Sequence, residues 1–213
     1  MVGVIFATRR EADPFLLKTR ATPRDAQPFV EFRTAGETQQ PCITVISGMG
    51  KVASTMAAGH LVLAHRVSML VNAGLCGRLT MDKRWSVGEL FRIGSAIEGD
   101  CDRFGQQASA VPCDARWFSE LKPARLVTND RPVFEATWRD RLSGIGDLVD
   151  MEGAAVARVA MLYGIPCAMV KGISDGADET GRQDVASHVD WVSERIADVL
   201  VRGLNINAVD EQL

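Results

Sequence analysis

The sequence predicts an α/β fold: one domain spanning residues 1–213, with helices layered on both faces of a mixed, mostly parallel sheet. Two observations carry this expectation. Short apolar runs of strand length alternate along the chain with longer stretches whose apolar residues recur at helical spacing. The stretch 149–178, VDMEGAAVARVAMLYGIPCAMVKGISDGAD, also holds a complete strand–helix–strand unit with its own punctuation. Between Glu152 and Tyr163, the residues Ala154, Ala155, Val156, Val159, Ala160 and Leu162 repeat with the helical period. Gly164 supplies a left-handed stop and Pro166 prevents continuation. Residues 167–173 are then too short for a helix and continuous enough for a strand buried on both faces.

The remaining elements follow in order. Residues 2–7 read as a buried first strand, with a helix starting around Glu11–Ala12. Residues 20–41, rich in Pro, Gln, Thr and Ala, read as a hairpin or irregular excursion. A strand at 42–47 leads through Gly48-Met49-Gly50 into a helix over 51–66, then a strand at 69–73 and a glycine-rich turn at 74–77. Another strand is expected at 90–97. Residues 98–124 show little periodicity, with Trp117 and Phe118 as anchors. A strand at 125–128, a helix over 135–142, a loop at 179–183 and an amphipathic helix over 185–204 complete the chain.

Composition narrows the function. Hydrophobic residues make up 46% and charged residues 24% of the chain, an ordinary soluble composition. A net charge of −3 without a Lys/Arg cluster gives no electrostatic footprint for nucleic acid or a membrane surface. No apolar run approaches membrane-spanning length. Cys42, Cys76, Cys101, Cys113 and Cys167 are odd in number, scattered and free of any CxxC pair. That pattern implies reduced thiols in a cytoplasmic protein, with neither disulfides nor zinc. The N-terminus MVGVIFATRREA reads as a strand followed by charge rather than as a signal peptide.

Polar residues in otherwise buried elements mark the candidate site. Asp150 and Glu152 crowd a strand-to-helix junction, while Lys171, Asp175 and Asp178 sit in or just past a buried strand. Such groups are costly unless paired or used. A purely structural account also exists: acids suit a helix's first turn, and Asp175 can cap a turn. The GMGKVA spacing at 48–53 mimics a dinucleotide fingerprint, but the following strand ends at Asn72 with no carboxylate to hold a ribose, so no cofactor is expected.

Three stretches resemble the nucleoside phosphorylase/nucleosidase superfamily, in its methylthioadenosine/S-adenosylhomocysteine nucleosidase-like branch. They are Met151-Glu152-Gly153-Ala154-Ala155 with the later Ser174-Asp175, Ser47-Gly48-Met49-Gly50-Lys51-Val52, and Asn72-Ala73-Gly74-Leu75-Cys76-Gly77. The resemblance implies a nucleosidase that hydrolyses the N-glycosidic bond of a 5′-modified, adenosine-type purine nucleoside. It implies no cofactor, no metal and a homodimer. Asp175 would be the acid at purine N7, Glu11 the holder of the attacking water, and Glu152 the acceptor from the ribose hydroxyls, with Met151 beneath the sugar and Asp150 beside it. Ser174 and Lys171 would orient Asp175. The backbone around Leu75 and Cys76 would face the ligand, and Val133 and Phe134, or Pro132 in an ungapped match, would lie against the base.

The chain departs from the family pattern at four places. Leu75 replaces a serine, Lys171 an arginine, Arg9 and Arg10 precede Glu11 where relatives have acids, and the middle is short. Two other readings therefore stand beside the first. One is a phosphate-dependent phosphorylase using Arg9 or Arg10 as anion ligand; the other is a non-catalytic nucleoside-binding protein.

Overall fold

The chain's first apolar run is buried along its whole length because helices cover it from both sides. The computed structural model describes residues 1–24, 27–34, 41–82, 85–103 and 105–206. Its elements begin with β1 (Val2–Phe6), α1 (Arg9–Lys18), β2 (Thr22–Arg24), β3 (Val30–Arg33), β4 (Cys42–Ile46) and α2 (Lys51–His65). Next come β5 (Met69–Arg78), β6 (Leu90–Glu98), β7 (Asp102–Arg103), β8 (Gln106–Gln107), β9 (Val111–Pro112) and β10 (Lys122–Thr128). The chain continues with α3 (Ala136–Leu142), β11 (Leu148–Asp150), α4 (Gly153–Tyr163), β12 (Cys167–Asp175) and α5 (Gly181–Gly203).

One sheet runs β11-β10-β6-β12-β5-β1-β4-β3-β2. Five of its pairings are parallel: β10 with β11 and β6, β5 with β12 and β1, and β1 with β4. The β12–β6 pair and the β2–β3–β4 edge are antiparallel. Apolar faces of α2 and α4 close one side, with Leu61, Ala154, Val156 and Ala160 against the strands. On the other side lie Phe15 and Leu16 of α1 and Val192, Ile196 and Leu200 of α5. This is the mixed three-layer α/β/α arrangement.

One further pairing positions the site. β11 bonds β10 on one side and, antiparallel, β5 on the other through Val149 opposite Gly77. The strands β5, β12, β6, β10 and β11 thereby close on themselves. Asp175 also stands opposite Gly77, so the ends of β5, β11 and β12 meet at one place.

Several boundaries differ from the sequence expectation. β5 runs through to Arg78, where a turn at 74–77 was expected, because β12 pairs with it along nearly its full length. α1 starts at Arg9, two residues early: Thr8 caps it, and apolar spacing does not register a polar first turn. The same holds for α5, which starts at Gly181 rather than 185, its opening fixed by Asp178, Thr180 and Asp184. Among the described residues of 98–124 the chain forms short strands, and Phe118 is buried against α5. No helix among the described residues is long and apolar enough to cross a membrane.

Candidate active site

Glu11 owes its position to helix capping. Thr8 Oγ1 accepts from the Glu11 N–H, and Glu11 Oε2 accepts from the Thr8 N–H at 2.9 Å and its hydroxyl at 2.7 Å. Its other oxygen, Oε1, accepts from the Leu75 N–H of β5 at 3.0 Å. Such an approach requires glycine next door, since a Cβ on Gly74 would lie 2.7 Å from Oε1. The carboxylate is buried and held by three donors, with lone pairs left for a ligand.

Across the cavity, β11 ends in Asp150 and α4 begins just beyond Glu152. Asp150 Oδ1 accepts from the Thr128 hydroxyl at 2.6 Å; Oδ2 accepts from the Gly153 N–H and from Lys171 Nζ, both at 2.8 Å. Thr128 Oγ1 in turn accepts from the Ala154 N–H, so β10, β11 and the start of α4 are locked together. Glu152 Oε1 accepts from the Gly50 N–H at 2.7 Å. The glycine turn before α2 thus points an N–H at a carboxylate of this chain, where a dinucleotide site would point it at phosphate. Burial, with Asp150's charge adding to it, pushes the Glu152 carboxyl up to about 7, against the pull of Lys171 and the Gly50 N–H.

The third carboxyl is Asp175, at the end of β12. Ser174 Oγ donates to its Oδ2 at 2.7 Å and the Ala177 N–H to its Oδ1 at 2.8 Å. Burial raises its pKa above the ordinary aspartate value, those two bonds oppose the rise, and Asp184 and Asp178 add to it. His188 Nδ1 donates to the Ser174 carbonyl and secures the loop from α5.

Glu11, Glu152 and Asp175 line one cavity of about 520 Å³. Of the residues singled out in the sequence, Asp150, Met151, Ser174, Leu75, Cys76, Val133 and Phe134 line it too, as does Pro132. Burial raises the Cys76 thiol well above its ordinary range, so it is no ready nucleophile. Asp178 accepts from the Thr180 N–H and hydroxyl and ties the loop instead of facing the cavity.

Lys171 requires a correction. It was expected to orient Asp175 and touch substrate, yet it is 1% exposed, absent from the cavity wall and paired with Asp150. Four residues along a strand separate the two backbones by about 13 Å, so the side chain crosses to β11 instead. Burial disfavours its charge, but Asp150 and Glu152 more than restore it.

Other lining residues escaped the sequence reading. Arg182, Val185, Ala186 and Val189 form one face of α5 at the i, i+3, i+4, i+7 spacing, and that spacing was the available signal. Arg10 also reaches the wall, but its guanidinium is held by Asp190 at 2.6 and 2.8 Å. Arg9 pairs with Asp13 and lies over Phe32, away from the cavity.

The chain is similar to known proteins in both sequence and fold. A sequence model of the Phosphorylase superfamily matches residues 1–205. An aminodeoxyfutalosine nucleosidase of Helicobacter pylori is 26% identical over 159 residues, covering 64% of this chain and 68% of the relative. A 5′-methylthioadenosine/S-adenosylhomocysteine nucleosidase of Haemophilus ducreyi is 23% identical over 202 residues, covering 80% and 83%. Among solved structures, the S. pneumoniae nucleosidase with a transition-state inhibitor superposes with a TM-score of 0.88 at 20% identity, covering 96% of this chain and 98% of that one. A futalosine hydrolase mutant of Helicobacter pylori gives 0.87 at 22% identity, covering 95% and 97%.

The buried pair generates a stability prediction. Lys171→Met leaves the Asp150 carboxylate in a dry site without its cation, and removing one partner of such a pair costs about 3–5 kcal/mol. Urea denaturation should register a loss of that size, with the Asp150→Asn/Lys171→Met double variant recovering part of it. A loss under about 1 kcal/mol, typical of a surface pair, would show that the pair does not hold the site together.

Proposed function

The chain belongs to the Phosphorylase superfamily, and from that premise we propose that it is a purine nucleoside hydrolase acting on an adenosine-type nucleoside with a modified 5′ position. The observation that carries the reading is the meeting of Asp175, with its raised pKa, Glu152 and Glu11 on one cavity. The names of the relatives, nucleosidases for methylthioadenosine, S-adenosylhomocysteine and aminodeoxyfutalosine, support the substrate class.

Breaking a purine N-glycosidic bond needs a proton for the departing base, contacts that fix the ribose, and a nucleophile on the opposite face. Asp175, protonated in its buried loop, donates to N7 while Ser174 and the Ala177 N–H fix its orientation. Glu152, ionised, accepts from the 2′- and 3′-hydroxyls, bonds that strengthen as positive charge grows on the sugar ring. Met151 packs under the ribose, Val133 and Phe134 flank the base, and Glu11 takes the proton of the attacking water. Asp150 holds the junction below Glu152, and no cofactor takes part.

The phosphorylase reading has less support. Phosphate needs free cationic ligands, and both candidate arginines are engaged by Asp190 and Asp13. Residues 1–213 act as one domain on this reading, in the cytoplasm, which the reduced state of the cysteines supports. A homodimer is supported by Met49, Val52, Met56 and Leu63, exposed on and beside α2, with Met161 and Leu162 exposed on α4. Met49 also lines the cavity, so a partner seated there would help to close it. Sedimentation equilibrium should give twice the chain mass; a monomer at all concentrations would remove the dimer.

Base release from a panel of 5′-modified adenosines should proceed without phosphate and yield a free sugar. Asp175→Asn should lower kcat by about a hundred- to ten-thousand-fold, the usual worth of general acid catalysis. Glu11→Gln should be comparably severe, because an amide cannot accept the proton. A sugar 1-phosphate among the products would replace water with phosphate, and absence of any turnover with tight nucleoside binding would leave a binding protein.

The pH profile tests Glu152. Its carboxyl sits at about 7 in the folded chain against an ordinary 4.5, so the folded state binds the extra proton across that window. Stability from this group accordingly falls as pH rises from 4.5 through about 7. Catalysis runs the other way, since an ionised Glu152 is needed: kcat/KM should climb through an apparent pKa near 7. An acid limb that persists unchanged in Glu152→Gln would assign it to another group.

A further inference from the structure

We propose that Glu31, His60 and His65 form a binding site for one divalent transition-metal ion of the zinc class, clipping the β2–β3 hairpin to the end of α2. Two of the chain's three histidines converge on a single carboxylate. Glu31 Oε1 lies 2.5 Å from His60 Nε2 and 2.8 Å from His65 Nε2, and the three ligand atoms all fall within 4.8 Å of one another. None of these residues lines the cavity described above. The cysteine pattern predicted no metal, and this cluster uses no cysteine.

The second observation is the carboxylate's other oxygen. Glu31 is 0% exposed, and its Oε2 is buried without a hydrogen-bond partner among the described residues. An ionised oxygen left bare in a dry site is costly, and both histidines spend their bonds on Oε1. A cation bound at the cluster would give the whole carboxylate a charge partner. Two imidazole nitrogens and one carboxylate oxygen are a borderline-soft donor set suited to zinc, with a fourth position left for water.

Geometry and access both permit it. β3 pairs with β2 and β4 at Glu31, which fixes one ligand's backbone, while the histidine side chains are 15% exposed and offer an entry path. Phe29 packs 5.4 Å from the His60 ring and shields it. Ligand bonds of about 2.0–2.1 Å in a tetrahedron separate donor atoms by about 3.3 Å, so on binding the two Glu31–His contacts lengthen by roughly 0.5 to 0.8 Å and the histidine nitrogens, within 4.8 Å of each other, adjust to the same spacing. Each imidazole coordinates through its Nε2 lone pair. A neutral ring therefore carries its proton on Nδ1, and a protonated ring releases one proton to solvent.

The test uses the full chain, stripped with a chelator and titrated with Zn²⁺ by calorimetry, with Co²⁺ as a visible-absorption probe. One equivalent should bind, and the unfolding temperature should rise with Zn²⁺ concentration. His60→Gln and His65→Gln should each weaken binding by about a hundredfold or more, at or beyond the upper end of the ten- to hundredfold loss typical of supporting partners. Turnover of nucleoside should be unchanged in both and serves as the folding control; Glu31→Gln, which alters a fully buried group, is secondary. No stoichiometric binding would reduce the cluster to hydrogen bonds alone. Binding of equal strength in the double histidine variant would put the ion elsewhere, and either result overturns the proposal.

Discussion

A lysine ammonium buried to 1% exposure, 2.8 Å from an aspartate, is the interaction on which the rest of this architecture depends. Three carboxylates, from Glu11, Asp150 and Glu152, approach one region from α1, β11 and the start of α4. Without a cation among them, mutual repulsion and desolvation would drive some of them to neutrality or push the elements apart. Lys171 rises from β12 between them, and its charge is sustained by the acids it offsets. Asp150 passes the constraint on, since the oxygen held by Lys171 also accepts from the Gly153 N–H, and its other oxygen holds the Thr128 hydroxyl that accepts from the Ala154 N–H, which together fix where α4 begins. The direction of Glu152 follows from that.

Strand closure makes the convergence possible. In an open sheet β11 would be an edge, and its terminal acid would face solvent. Here β11 bonds β5 as well as β10, and Gly77 meets both Val149 and Asp175. The absence of a side chain matters at this crossing: a Cβ on Gly77 would sit 3.0 Å from Asp175 Oδ1 and 3.1 Å from Val149 Cγ1. The glycines of 74–77 therefore act within a strand, as places of close approach, rather than as a turn.

That difference explains what the sequence made legible. Buried strands announce themselves as apolar runs, so a charged residue inside or just past one stands out, as Asp150, Glu152, Lys171 and Asp175 do. Which of them pair is another matter. Lys171 and Asp150 are 21 residues apart in the chain, and their meeting follows from the order of β11, β5 and β12, which no local period encodes. The cavity face of α5 is hidden for a different reason: Arg182, Val185, Ala186 and Val189 continue the stripe that packs the core, so cavity wall and core share one pattern. Glu31 with His60 and His65 was invisible on both counts, joining a hairpin to a helix end across 29 and 34 residues.

One cation also distinguishes two acids that burial treats alike. Desolvation raises both Glu152 and Asp175. Their surroundings then diverge. At Glu152 burial and the Asp150 charge push the carboxyl up to about 7 against the pull of Lys171 and the Gly50 N–H, so it can ionise near neutral pH and accept hydrogen bonds. On Asp175 burial leads, the hydrogen bonds from Ser174 and the Ala177 N–H oppose it, and the smaller influence of the Asp184 and Asp178 charges adds to the rise. Both carboxyls are raised, and what differs between them is the neighbourhood: a cation acts on Glu152, whereas the charges acting on Asp175 are acidic. The division arises because Lys171 leans toward β11 and away from the end of its own strand. Had it pointed along β12 at Asp175, its charge would have opposed the rise that burial produces there.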